Sequence, residues 1–300
     1  MRFSKSDSLP ESRRLSDNLI HDILPIDDKV WVATGSGVVI IDTSSNNVNN
    51  FSSDLIARVI TQDEDGDIWL GTEMDGLYRI PSELLTNIIN GQNFEIEGYV
   101  FDADYPNGIS SSQITCISQD KNGMIWIGTN GGLNQYSKKE EAFIHYFVED
   151  GLSSNYVTGI VVDHANNLWI SSKKGISFFN QKDSIFTNYG LTDGTGNIDF
   201  HRHSYDDSPD GNIYFGGPLG ITKVNPKDMQ YNQYVPPCII TRIRKNFFDE
   251  TFSENFMVSN SNSSIDGSST AIINHKVKSF SVDFVALNYH QSVKNRYRYK

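Results

Sequence analysis

The sequence predicts an all-β protein built from repeated four-stranded sheets, on three observations. A phrase of one aromatic, one apolar and two small residues occurs five times, at intervals of 38 to 57 residues. Most copies follow a turn rich in Asp, Asn and Gly, and a glycine–aliphatic pair comes six or seven residues after each aromatic. The 12% aromatic content also favours strands. Four short strands repeated about every 40–45 residues are typical of β-propeller blades.

The repeated phrase contains all four tryptophans of the chain. Its copies are residues 31–34, 69–72, 126–129, 169–172 and 214–217. We expect the aromatic side chain to pack between neighbouring blades, since a feature repeated in each blade serves packing. The small residue two positions later, such as Gly128, is expected where crowded inner strands leave little space.

Each predicted blade reads as four strands in order. An alternating strand such as 114–118 precedes a turn such as 120–123, whose Asp, Asn and Gly suit a tight hairpin. The aromatic phrase is the second strand, 133–136 is a third, and the more polar 143–147 is a fourth. The longest interval contains an insertion in which Pro81 and the apolar spacing predict a short amphipathic helix at 81–89.

Composition excludes several classes of protein. The chain has 300 residues and a formal net charge of −12, so nucleic acid is not an expected partner. No apolar run approaches the roughly 18 residues of a membrane helix, and the first residues lack the apolar stretch of a signal peptide. Cys116 and Cys238 fit no metal or redox spacing and are expected to be buried free thiols.

Two groups of residues raise metal binding as an alternative. His201 and His203 would share a face of a strand, but no third ligand lies at a suitable spacing. Asp63, Asp65 and Asp67 resemble part of a calcium loop without its terminal glutamate, so a hairpin turn is expected there. We therefore expect no metal, no cofactor and no catalytic residues.

Residues 120–136, with the lead-in 150–157, closely resemble the two-component regulator propeller repeat. The resemblance covers roughly residues 9–228 and is carried by five linked copies. It implies the periplasmic sensor region of a hybrid two-component histidine kinase, as in Bacteroides-type bacteria. Such a sensor would be anchored in the inner membrane and signal as a homodimer.

The C-terminal stretch resembles the start of the immunoglobulin-like Y_Y_Y domain. Pro236 and Pro237 interrupt the repeat, residues 278–289 alternate cleanly, and Asn295-Arg296-Tyr297-Arg298-Tyr299 follows. We therefore expect propeller blades in an incomplete ring at 1–228 and a truncated β-sandwich at 229–300. Complete sensors of this kind have a signal peptide, more blades, a membrane helix and a kinase, so the resemblance also implies that the chain is a fragment.

The expected ligand site is the face where the loops before the first strands meet the loops after the aromatic phrases. Its candidate residues are Gln113, Asn130, Asn155, Tyr156, Lys173, His201 and Arg202. These side chains could hydrogen-bond the hydroxyl groups of an oligosaccharide or another small polar ligand. The alternative function is a propeller-fold polysaccharide lyase or glycoside hydrolase, and hydrolysis would need a pair of carboxylates. A scaffold that mainly dimerises is a third hypothesis.

Overall fold

The computed structural model describes residues 14–52, 55–89, 96–229, 238–247, 253–256 and 277–286. The chain divides into two compact units, Met1–Met229 and Gln230–Lys300. The first unit contains five antiparallel sheets in sequence order, and each sheet is one blade. The prediction of an all-β propeller is confirmed.

The first two blades contain strands β1 to β8. Blade 1 consists of β1 (Ile20–Ile26), β2 (Lys29–Thr34), β3 (Gly37–Asp42) and β4 (Val48–Ser52). Blade 2 consists of β5 (Ala57–Gln62), β6 (Ile68–Thr72), β7 (Leu77–Ile80) and β8 (Glu97–Tyr99). The predicted helix is confirmed between β7 and β8, as a 3-10 turn at Ser82–Leu84 that continues into α1 (Leu85–Ile89).

The next three blades follow the same order. Blade 3 consists of β9 (Ile114–Gln119), β10 (Ile125–Thr129), β11 (Leu133–Ser137) and β12 (Ala142–Tyr146). Blade 4 consists of β13 (Val157–Val162), β14 (Leu168–Ser172), β15 (Gly175–Asn180) and β16 (Ile185–Tyr189). Blade 5 has three described strands, β17 (Tyr205–Asp207), β18 (Ile213–Gly217) and β19 (Gly220–Val224).

Short 3-10 turns occur in the connections at Val148–Asp150, Leu191–Asp193 and Pro226–Asp228. In the second unit, β20 (Cys238–Phe247) pairs antiparallel with both β21 (Ser253–Phe256) and β22 (Val277–Ala286). The two prolines and the tyrosine-rich end that suggested a Y_Y_Y domain lie outside the described residues. That assignment therefore stays a prediction.

The tryptophans fill the cores between blades, as the repeat predicts. Trp69 packs with Ile114, Ile125 and Ile127 of blade 3, and its side chain is fully buried. Trp126 packs in the same way with Val157 and Ile170 of blade 4. Each of the four tryptophans lies in a cluster with apolar residues of the following blade, and aromatic side chains bury large apolar areas.

The small residue of each phrase makes room for a first strand of the following blade. A Cβ atom placed on Gly71 would lie 2.5 Å from Cγ2 of Ile114, and one on Gly128 would lie 2.6 Å from Cγ1 of Val157. Crowding at this position was predicted from the sequence. The structure shows that the crowding comes from a neighbouring blade's side chain as well as from the blade's own first strand.

The turn before three of the four tryptophans, Trp69, Trp126 and Trp169, has a second function that the sequence alone did not indicate. In blade 3, Oδ1 of Asp120 accepts hydrogen bonds from the backbone N–H groups of Asn122 and Met124, while Oδ2 accepts one from Trp126 Nε1 at 2.9 Å. The same pattern joins Asp63 to Trp69 and Asp163 to Trp169. One buried carboxylate thus fixes both the hairpin and the indole ring.

Blade 5 lacks the Asp–Trp pair, and its face directed away from blade 4 is less buried than those of the other blades. Ser208 takes the turn position of Asp120, and Tyr214 replaces the tryptophan six residues later, so both partners change together. Ile221 is 76% exposed, whereas its equivalent Ile176 in blade 4 is fully buried against blade 5. The described part of the chain therefore covers this face of blade 5 less completely than the corresponding faces of the other blades.

Cys116 and Cys238 are both free thiols. Cys116 is buried, as expected, and burial raises its pKa to about 12. Cys238 is exposed, so the expectation of burial is wrong for that residue.

Candidate functional site

The first strands of the blades all begin at the same edge of the propeller. At this edge β1, β5, β9 and β13 each contain a bulge, where one residue is left out of the pairing with the second strand. The bulged residues are His21, Arg58, Thr115 and Thr158. A bulge bends the strand and redirects its side chain, and bulges are common next to functional sites. Two of these four residues, His21 and Arg58, belong to the polar network described next.

The Glu73 carboxylate is the centre of a network contributed by three blades. Glu73 follows β6 directly, and its Oε1 accepts a hydrogen bond of 2.7 Å from Nε2 of Gln113. Its Oε2 lies 2.5 Å from Nε of Arg58 and 3.2 Å from Nη1 of Arg202. Because Arg202 precedes β17 of blade 5, this ion pair connects blade 2 to blade 5.

Arg202 also contacts Tyr156, which immediately precedes β13. Nε of Arg202 donates a hydrogen bond of 2.9 Å to the Tyr156 hydroxyl, and Nη2 contacts the same oxygen. Nζ of Lys173 lies 5.8 Å from the centre of the Tyr156 ring, within range of a cation–π interaction, and pairs with Asp199 at 2.6 Å. We call Arg58, Glu73, Gln113, Tyr156 and Arg202 the mouth cluster.

All five side chains of the mouth cluster are half-buried, so they are both ordered by contacts and reachable from solvent. The side chains of Arg58, Glu73 and Arg202 retain 28%, 20% and 22% of their exposure, respectively. The cluster can offer guanidinium, amide, phenol and carboxylate groups to a ligand. These are the groups that bind the hydroxyls and charged substituents of polar small molecules.

Two histidines lie beside the mouth cluster. Nδ1 of His21 is 3.1 Å from Nη1 of Arg58, and burial lowers the pKa of His21, with a further lowering by the Arg58 charge. Partial burial is also the main cause of the lowered pKa of His203. The Asp22 carboxylate raises this pKa, and the charges of Arg202 and Arg58 lower it. Both shifts favour the neutral form of the imidazole.

Four of the seven sequence-predicted residues are brought together at this site. Gln113, Tyr156 and Arg202 belong to the mouth cluster, and Lys173 lies beside it. Asn130 is exposed and accepts a hydrogen bond from the hydroxyl of Ser111. Asn155 accepts a hydrogen bond from the backbone N–H of Val148, and this bond holds the loop between residues 148 and 155. Whether any of the seven binds a ligand stays a prediction.

The interpretation of His201 and His203 as neighbours on a strand face is wrong. Residues 201–203 precede β17, and His203 has a φ of 55°, in the left-handed region that a strand does not use. His201 is exposed, and its backbone N–H bonds the carbonyl of Gly216. The chain direction therefore turns between the two imidazoles.

Sequence reasoning missed Arg58 and Glu73. Glu73 follows Thr72 as Asn130 follows Thr129 and Lys173 follows Ser172, so a strict alignment of the repeats would have placed it on the same face. Arg58 occupies the bulge position that holds Thr115 and Thr158 in later blades. A charged residue where blades 3 and 4 have threonine was the available signal.

The acidic turn of blade 2 is occupied by an internal cation. Lys138 of blade 3 pairs through Nζ with Asp63 at 2.8 Å and also contacts Asp65 and Asp67. The expectation that these three aspartates form a hairpin turn is confirmed by the bonds that Asp63 accepts from Asp65 and Asp67 backbone N–H groups. Within the described ranges, no group of three or more His, Cys, Asp or Glu side chains is arranged to hold a metal ion.

A helix that is long and apolar enough to cross a membrane does not occur among the residues that the structure describes.

The family model for the two component regulator propeller matches residues 50–74, 108–131 and 151–174. Each matched segment ends just after an aromatic phrase. The segments therefore include Glu73, Asn130 and Lys173. Comparison with curated proteins finds no match to the chain.

Several solved structures are similar to the chain. The extracellular domain of the hybrid two component system BT3049 from B. thetaiotaomicron is 22% identical, with a TM-score of 0.63, over 91% of this chain and 36% of that one. The extracellular domain of the one component system BT4673 from the same organism is 17% identical, with a TM-score of 0.55, over 81% and 38%. PorZ, a surface component of the type-IX secretion system of Porphyromonas gingivalis, is 15% identical, with a TM-score of 0.50, over 80% and 36%.

The chain thus spans little more than a third of the length of these structures, and the similarity to them is one of fold. Each matched segment begins six or seven residues before the first strand of blade 2, 3 or 4 and ends two residues after the second strand of that blade. The chain is a β-propeller protein, and one segment in each of blades 2, 3 and 4 matches the family model of the two component regulator propeller.

Proposed function

We propose that the chain is the ligand-sensing part of an extracellular or periplasmic receptor in a two-component signalling protein. In this proposal the propeller does not catalyse a reaction, and the mouth cluster recognises a carbohydrate fragment or a similar small polar ligand. The bound state passes through residues 229–300, as the start of a Y_Y_Y domain, to a histidine kinase or similar output domain. The intact receptor is a homodimer anchored in the inner membrane.

The observation that carries this proposal is the convergence of blades 2, 3, 4 and 5 on one cluster of polar side chains. The Glu73 carboxylate of blade 2 binds Gln113 of blade 3 and Arg202 of blade 5. Tyr156 of blade 4 accepts a hydrogen bond from the same Arg202. A ligand that changes the contacts of Arg202 therefore acts on the relative positions of blades. A sensor needs this coupling between ligand binding and the positions of the blades, whereas a rigid scaffold does not need it.

The repeat family and the similar extracellular domains support the signalling context. The charges of the cluster support binding over hydrolysis. Both oxygens of the Glu73 carboxylate are engaged by Arg58, Gln113 and Arg202, which suits a positioning group. A glycosidase would need a second carboxylate across the scissile bond.

Calorimetry of the whole chain against plant and host oligosaccharides tests the proposal. We expect at least one saccharide to bind, and Arg202→Gln to weaken its affinity by roughly tenfold or more, because a hydrogen bond to a charged group contributes about 1.5–3 kcal/mol. Lys121→Gln is the matched control. It also removes one positive charge, but it lies at the opposite end of blade 3, in the turn between β9 and β10, and should leave affinity unchanged.

Failure of every saccharide in the panel to bind would reject the proposal. Equal weakening by the Lys121 variant would show that net charge, and not the mouth cluster, determines binding.

A further inference from the structure

The charge of the mouth cluster differs in sign from that of the chain. The chain carries 37 acidic and 25 basic residues, yet the guanidinium groups of Arg58 and Arg202 share the single carboxylate of Glu73. Lys173 beside them pairs with Asp199. The nearby Asp22 carboxylate accepts backbone N–H groups of Ile23 and Ile60. Glu73 is thus the carboxylate with which both arginines pair directly, so two guanidinium groups share one partner.

The two arginines also act on the neighbouring histidines. Burial is the main cause of the lowered pKa of His21 and of His203, and the charge of Arg58 lowers both further, while nearby carboxylates act in the opposite direction. A pair of guanidinium groups that is half-buried and open to solvent attracts anions more strongly than the same charges on a flat surface. The chain as a whole carries a net charge of −12, so the mouth cluster differs from the rest of the protein in attracting anions.

Glu73 occupies the position that an acidic ligand would take. Guanidinium groups bind planar carboxylates through paired N–H donors, and the Glu73 carboxylate lies between two of them. Glu73 is in the turn after β6, next to Met74, which is 75% exposed, so its side chain can turn outward without disturbing a strand.

We propose that the ligand of this site is an acidic oligosaccharide whose uronate carboxylate replaces Glu73 on Arg58 and Arg202. This inference rests on the proposed function and specifies its ligand class. The exchange releases the ion pair of Glu73 with Arg202, which joins blade 2 to blade 5. Binding thereby frees blade 5 from blade 2, while Tyr156 continues to hold Arg202.

The test uses tetramers of galacturonate, glucuronate and mannuronate, each compared with its methyl ester, by calorimetry on the whole chain. We expect at least one acid tetramer to bind, and its ester, which lacks the negative charge, to bind roughly tenfold more weakly or worse. Glu73→Gln should bind that acid roughly tenfold more tightly than the unmodified chain, because the internal competitor loses its charge but keeps an oxygen for Gln113.

Glu97→Gln is the matched control. It removes the same charge from β8, where Glu97 lies 3.7 Å from Arg79, away from the mouth cluster, and should leave the affinity unchanged. Circular dichroism melting of both variants shows that each is folded before affinities are compared.

The outcomes separate this inference from the proposed function. If an ester or a neutral saccharide binds as tightly as the acids, or if Glu73→Gln gives no tighter binding than Glu97→Gln, the acidic ligand is rejected and saccharide sensing stands. If no saccharide, acidic or neutral, binds the chain or the Glu73 variant, both are rejected.

Discussion

Asp120→Ala should lower the free energy of unfolding by about 3 kcal/mol, because it removes the acceptor of three hydrogen bonds at a buried site. Asp120 is 1% exposed, and its carboxylate accepts from Asn122 N, Met124 N and Trp126 Nε1. The indole N–H is buried, so no water replaces the lost carboxylate. Urea unfolding of the whole chain, followed by tryptophan fluorescence, measures the loss.

Asp102→Ala is the matched control for this change. Asp102 also accepts a backbone hydrogen bond two residues on, from Asp104 N at 2.9 Å, but it is exposed in the loop between β8 and β9. We expect it to cost less than about 1 kcal/mol, since water replaces an exposed acceptor. In a double-mutant cycle with Trp126→Phe, coupling to Asp120 should reach roughly 1 kcal/mol. Independent, additive effects would contradict the role given to the indole bond.

Gly128→Ala should lower the free energy of unfolding by about 2–3 kcal/mol, because a methyl group has no space there. A Cβ at Gly128 would lie 2.3 Å from Sγ of Cys116 and 2.6 Å from Cγ1 of Val157, so the interface between blades 3 and 4 would have to open. The same urea titration measures the effect. Adding Val157→Ala should recover part of the loss, because it removes one of the clashing methyl groups.

Gly190→Ala is the matched control, because it makes the same change in the entropy of the unfolded chain without a steric clash. Gly190 has φ −136° and ψ −163°, which any residue adopts, and nothing lies within 4 Å of a Cβ placed there. This substitution should be neutral or slightly stabilising. A Gly128 variant as stable as the Gly190 variant would show that the blades are spaced more widely than described.

The blade repeat could be predicted from sequence because each of its signals is local. The turn at 120–123, the phrase at 126–129 and the glycine at 132 are close in sequence, and one blade repeats the information of another. The indole bond of Asp120 was missed since a spacing of six residues becomes a contact only once the hairpin brings Trp126 back beside the turn.

The mouth cluster could be predicted only in part. Gln113, Tyr156 and Arg202 were found because the loops before first strands are expected on one face. Glu73 and Arg58 were missed because their roles depend on a contact between blades 2 and 5, across 129 positions of sequence. His203 was misplaced because a left-handed residue ends the alternation on which the strand prediction rested.

The position of a bound saccharide tests the central claim most directly. A crystal structure of the chain with the tightest-binding saccharide should place a ligand oxygen within hydrogen-bonding distance of Arg202, with the ligand in contact with Tyr156 or Gln113. A saccharide bound elsewhere, such as on the exposed face of blade 5 around Ile221, with the Glu73–Arg202 ion pair unchanged, would contradict the claim.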